Sequence, residues 1–207
     1  MRVYLIRHGE SEANQTKQWT GWLDAKLSDK GIEQAKAIRP YFENVKFDKV
    51  YSSDLCRAYN TVKPVADALG LPIHTSTDLR ELDIGRWEGL RIADVKRDEP
   101  EALAFYRQRI PEANAGGGET RLQLRQRITR IMNEIAVEND GKTVLIGSHG
   151  GAIRALCCAW MGYTIEEIDK TTDLKNASIT IVRYDAETKH AEFVLYNYNE
   201  HLGDLAT

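Results

Sequence analysis

At 207 residues, with 31 acidic against 28 basic side chains and a formal net charge of −3, the chain suits one domain with a sizeable core. That balance excludes a general nucleic-acid binder, which needs a basic excess or a dense basic stripe. No apolar run approaches the ~20 residues that span a bilayer, so no membrane partner is expected.

Residues 3–6 (VYLI) predict a first strand, too short and too quickly followed by charge to be a signal peptide. A polar loop with Gly9, Asn14 and Gly21 follows. From Ser28 the period turns helical, with Ser28 as N-cap and Ile32, Ala35, Ile38 and Phe42 on one face. Residues 47–51 (FDKVY) predict a second strand. Ser53 then caps a helix through Leu69, closed by Gly70 with Pro72 beyond, and Pro64 should kink or interrupt it. Residues 88–139 read as helical segments broken by Pro100, Pro111 and the glycines at 116–118, an insertion or lid over one edge of the core. Within it a longer helix over 120–137 brings the chain back. Residues 143–146 (TVLI) are the clearest buried strand, residues 152–161 an apolar helix, and 177–184 and 191–196 two closing strands.

Strands alternating with helices predict a single α/β domain over 1–207. The expected form is a three-layer α/β/α sandwich, with a mostly parallel central sheet and a helical lid insertion at about 88–139. In such sheets ligands gather at the carboxyl ends of the strands. The polar residues there are Arg7-His8-Gly9, then Ser52-Ser53-Asp54 leading to Arg57, then Ser148-His149-Gly150. Two histidines and two arginines therefore converge on one rim.

Arginine presents a planar fork of donors and keeps its charge, which suits phosphoryl oxygens. Arg57 falls in the first turn of a helix, whose backbone N–H groups favour the same anion, and Gly150 and Gly151 permit close backbone approach after His149. The cationic neighbours oppose a divalent metal, so no metal or other cofactor is expected. They also keep His8 neutral, and a neutral imidazole can act as a nucleophile. A leaving oxygen needs a proton, and Glu81, Asp83 and Glu88 share one loop beside Trp87. Spacing does not choose among the three.

Each residue alone has a structural explanation, and joint placement at one sheet edge is what points to chemistry. His74, His190 and His201 lack that setting and read as structural or exposed. Arg107, Arg109, Arg121, Arg125, Arg127 and Arg130 fit a solvated helical face or an anion-binding role equally well. Cys56, Cys157 and Cys158 form no disulfide framework, and read as buried reduced thiols of a cytoplasmic protein.

Competing motifs fail. Gly141-Lys142-Thr143 ends like a P-loop, but Ala136 stands where the first glycine belongs and a strand follows. The glycines at 116–118 follow no strand. In the segment 147–151 (GSHGG), His149 takes the place of a nucleophilic serine.

The segments LIRHGESEAN (5–14), GWLDAKLSDKG (21–31), YSSDLCRA (51–58), ELDIGRWEG (81–89), GGET (117–120) and SHG (148–150) run in one order over most of the chain. In these the sequence resembles the histidine phosphatase superfamily, the phosphoglycerate mutase-like proteins. The resemblance implies that His8 is the phosphorylated nucleophile, that Arg7, Arg57 and His149 form the phosphate pocket, and that Glu81 is the proton donor. It further implies that Asn14 contacts the phosphoryl group and that Thr20 and Gly21 touch substrate. Mutases of this family carry an arginine directly after the glutamate, where this chain has Leu82. That departure points to hydrolysis of a small phosphorylated metabolite. A phosphoglycerate mutase or a non-catalytic binder of phosphorylated ligands is the alternative. A homodimer is compatible with the resemblance.

Overall fold

Alternate residues of the first strand face opposite ways, as a pleated strand requires. Val3 and Leu5 enter one buried cluster while Tyr4 and Ile6 enter another. The computed structural model describes residues 1–206. The strands are β1 (Arg2–Arg7), β2 (Lys49–Ser53), β3 (Ile73–Ser76), β4 (Thr143–Ser148), β5 (Ile179–Asp185) and β6 (His190–Tyr198). They form one sheet in the order β3-β2-β4-β1-β5-β6. Helices α2 (Asp29–Tyr41) and α3 (Cys56–Leu69) cover one face; α6 (Arg121–Glu138) and α7 (Gly150–Trp160) cover the other. This is a three-layer α/β/α sandwich.

The sheet is parallel from β3 through β2 and β4 to β1, and antiparallel at β5 and β6. The closing pair is a hairpin turning at residues 186–189, and so short a connection cannot return a strand in parallel. Strand β3 escapes sequence patterning because its short, partly exposed run at the sheet edge lacks an apolar stripe.

Several local expectations shift. In α2 the buried face is Gly31, Gln34, Ala35 and Ile38, whereas Ile32 is 42% exposed. Leu55, not Ser53, occupies the N-cap of α3, and the Ser53 hydroxyl accepts from the Leu55 N–H at 3.3 Å. Pro64 does not interrupt α3, because the carbonyl deprived of its N–H partner belongs to exposed Asn60. Gly70 closes α3 in the left-handed conformation, as expected. Between residues 88 and 139 the chain forms α4 (Ile92–Asp98), α5 (Pro100–Tyr106) and α6. Helix α6 is a full member of the core layer, its Leu124, Ile128, Met132 and Ile135 lying on one buried stripe. Among the described residues, no helix is long and apolar enough to cross a membrane.

Candidate active site

The register of the sheet sets Arg7 beside Ser148 and Ser52 beside Gly147, so the carboxyl ends of β1, β4 and β2 lie together. His8 and His149 leave adjacent strands, and their ring centroids are 5.2 Å apart. His8 is 5% exposed, with Nδ1 at 2.7 Å from the Gly9 carbonyl oxygen. A carbonyl only accepts, so Nδ1 carries the proton and Nε2 keeps its lone pair. Burial first, then Arg57 and Arg7, hold the His8 imidazole well below its ordinary range, and the ring is neutral.

His149 is the N-cap residue of α7 and is completely buried, with both ring nitrogens lacking hydrogen-bond partners. Burial, Arg57, His8 and Arg7 push its proton affinity down in the same way.

Arg57 is also completely buried, in the first turn of α3. Its Nη1 donates to the Leu23 carbonyl and its Nη2 to the Gly21 carbonyl, each at 2.7 Å. Gly21 reaches that position at φ +48°, where a side chain would meet Ile84 Cγ1 at 2.4 Å. Arg7 donates from Nη1 to the Leu174 carbonyl. The Nε atoms of both arginines are buried without partners. No carboxylate pairs directly with either guanidinium among the described residues, and Glu81 is the first charge that opposes their desolvation. With neutral imidazoles, the corner itself holds two guanidiniums and one carboxyl group, with no acid paired directly to either cation.

Glu81 is placed by the start of α7. Its Oε2 accepts from Gly151 N–H at 2.9 Å, and its Oε1 accepts from Ala152 N–H at 3.0 Å and Leu82 N–H at 2.9 Å. Its carbonyl is fixed by Trp22 Nε1 at 2.7 Å and Arg127 Nη2 at 3.0 Å. Backbone donors, rather than the loop glycines and Trp87, set this carboxyl group; Trp87 is wholly buried in the core. Asp83 instead accepts from Gly85 N–H and Glu88 from Trp22 N–H.

A cavity of about 300 Å³ opens on this cluster. Seven of the expected residues line it: Arg7, His8, Asn14, Thr20, Gly21, Arg57 and Glu81. His149 and Gly150 stand behind that wall, His149 against the His8 ring and Gly150 so close to Arg7 that a Cβ would lie 3.1 Å from Nε. Asn14 Oδ1 accepts from Ser11 N–H at 3.0 Å, in a capping box at the helix α1 (Glu12–Gln15). Of the alternatives to Glu81, neither Asp83 nor Glu88 reaches the cavity.

The far wall was not anticipated residue by residue. It includes Tyr106, Arg109, Arg121, Arg154, Ile165 and Ile168. Arg154 lies one helical turn beyond Gly150 and Gly151, so helical spacing from that motif points to it. The arginines of 107–130 divide: Arg109 and Arg121 line the cavity, Arg127 braces the Glu81 loop, and Arg107 and Arg130 are exposed.

The family model of the histidine phosphatase superfamily, branch 1, matches residues 3–198. Phosphoserine phosphatase 1 of Hydrogenobacter thermophilus is 28% identical over 205 residues, covering 99% of this chain and 96% of that protein. Glucosyl-3-phosphoglycerate phosphatase of Mycolicibacterium vanbaalenii is 31% identical over 184 residues, covering 86% of this chain and 81% of its own. Among solved structures, the Bacillus stearothermophilus protein YhfR superposes with a TM-score of 0.90 at 26% identity, covering 97% of this chain and 98% of its own.

Proposed function

Since the chain belongs to the histidine phosphatase superfamily, we propose that it is a metal-independent phosphomonoesterase with His8 as nucleophile and Glu81 as proton donor, acting on a small phosphorylated metabolite. The observation that carries this reading is the neutral His8 ring, locked at Nδ1 by the Gly9 carbonyl and flanked by Arg7 and Arg57. A phosphoryl dianion offsets the positive charge of that corner, and the two guanidiniums hold it in line.

In the first step the Nε2 lone pair forms a bond to phosphorus as the bond from phosphorus to the alcohol oxygen breaks. The Glu81 carboxyl, as general acid, gives a proton to that oxygen. In the second step Glu81 takes a proton from water, whose oxygen bonds to phosphorus, and the nitrogen–phosphorus electron pair returns to Nε2. Leu82 supports water over a second substrate hydroxyl as acceptor, because it is a buried apolar side chain on the cavity wall. The phosphatase relatives support the same outcome.

The test is hydrolysis of a phosphomonoester panel with and without chelator. Activity should survive chelation, and His8→Ala should lower kcat at least ~10³-fold. A radiolabelled intermediate should be acid-labile and base-stable. Activity lost to chelator and restored by a divalent ion would sink the mechanism.

A further inference from the structure

The cavity has a second cationic end that the phosphoryl chemistry leaves unused. Arg121, the first residue of α6, is only 6% exposed and lines the cavity. Its Nη2 donates to the Tyr106 carbonyl at 3.1 Å, and its guanidinium carbon stands 4.2 Å from the Tyr106 ring centroid. Its Nε is buried without a hydrogen-bond partner. Two more guanidiniums share this end. Arg154 pairs with Asp173 and Asp169, and Arg109 reaches only Asp169, at 3.4 Å. Three cations thus face two carboxylates, whose side chains are 63% and 90% exposed and therefore well screened. Arg154 is buried too but has its acids; the buried cation left without one is Arg121.

A purely structural arginine here would be a costly choice. Stacking on Tyr106 needs only a flat or apolar side chain, whereas burying a charge without a counter-charge forfeits its hydration uncompensated. Burial, with Arg109 and Arg154 nearby, also pushes the Arg121 guanidinium down from its ordinary range, although it stays charged. One uncompensated charge matches a monoanion better than a second phosphate dianion. Ile165 and Ile168, which line the same cavity, give its wall an apolar stretch for a short carbon skeleton.

We propose that Arg121 binds a carboxylate on the alcohol part of the substrate, so that the enzyme selects small phosphomonoesters of hydroxyl-bearing carboxylic acids. The proposal rests on the phosphomonoesterase reading above. Its test uses matched pairs: O-phosphoserine against O-phosphoethanolamine, and 3-phosphoglycerate against glycerol 3-phosphate. The full chain should favour the carboxylated member of each pair at least ~10-fold in kcat/KM. In Arg121→Met that ratio should fall toward one, and in Arg121→Lys, which keeps charge but loses the fork, it should lie between. The ratio is read within one variant, so a general loss of activity cancels.

Calorimetric titration with the same four ligands supplies an arm independent of turnover, and Arg121→Lys serves if Arg121→Met fails to fold. Hydrolysis without preference for the carboxylated members, or a preference untouched by both substitutions, overturns the proposal and leaves the phosphatase intact. Absence of all hydrolysis overturns the phosphatase, and the calorimetric ratio then decides the subsite.

Discussion

A Cβ on Gly151 would stand 2.4 Å from Oε1 of Glu81, closer than any real contact, so the carboxyl group occupies the space that a side chain at 151 would need. The same glycine donates its N–H to Glu81 Oε2 at 2.9 Å. Gly151→Ala should therefore displace the proposed proton donor without touching His8. We expect kcat to fall ~10²-fold with a poor leaving group, and far less with p-nitrophenyl phosphate, whose leaving group needs little protonation. Equal losses on both substrates would argue against a proton-donor role.

The pH profile tests the corner around His8. Burial first, then Arg57 and Arg7, lowers its proton affinity, so the reactive neutral form persists as pH drops through 6.5. The acid limb of kcat/KM should accordingly lie well below 6.5. Arg57→Met removes the second of those causes and should move the limb upward, though not to the free value, because burial remains. An unmoved limb would separate that titration from His8.

Arg127 braces the loop that carries Glu81. Its guanidinium donates to the carbonyls of Asp78, Arg80 and Glu81 and pairs with Glu119 at 2.7 Å, both side chains being nearly buried. Arg127→Met leaves that acid and three carbonyls without their partner and should cost about 3 kcal/mol in chemical denaturation. Adding Glu119→Gln should recover part of the loss, as expected of a coupled pair. Full additivity would assign the cost elsewhere.

Stability should also carry a proton signature from His201. Its ring packs against Tyr41 and Tyr198, and burial lowers its pKa to about 4 against the opposing effect of the Ala177 backbone. The unfolded chain binds the proton near 6.5, so the contribution is present above that value and is lost as pH falls toward about 4. His201→Phe should make the fall in Tm between those values shallower. It should not abolish it, because buried His8 and His149 act with the same sign. A slope unchanged in the variant would show that His201 is not a source.

Much of the site was legible because its chemistry sits on short, ordered segments at strand ends, where a parallel sheet must gather them. The positions of His8, Arg57 and His149 follow from β1, β2 and β4 alone. Glu81 was not separable from Asp83 and Glu88 by spacing, since the choice is made by the N–H groups of Gly151 and Ala152, some 70 residues away. The edge strand β3 and the outward Ile32 were missed for a shared reason: short or partly exposed elements carry weak periodic signals. The arginines of the far wall could not be sorted by pattern, because Arg121 and Arg125 both lie on α6, yet only Arg121 lines the cavity.

The cavity is built from two separate stretches of architecture, with wide consequences for how such an enzyme changes over time. The phosphoryl corner is anchored to the central strands, whose geometry the whole sandwich enforces, while the opposite wall comes from the region around Tyr106 and Arg121 and from the segment near Ile168. On the proposed roles, substitutions in those outer segments can retune which alcohol is accepted while the proton inventory at His8 and Glu81 stays fixed. Selectivity and reactivity are thereby separable traits in this chain, open to independent drift and to independent engineering.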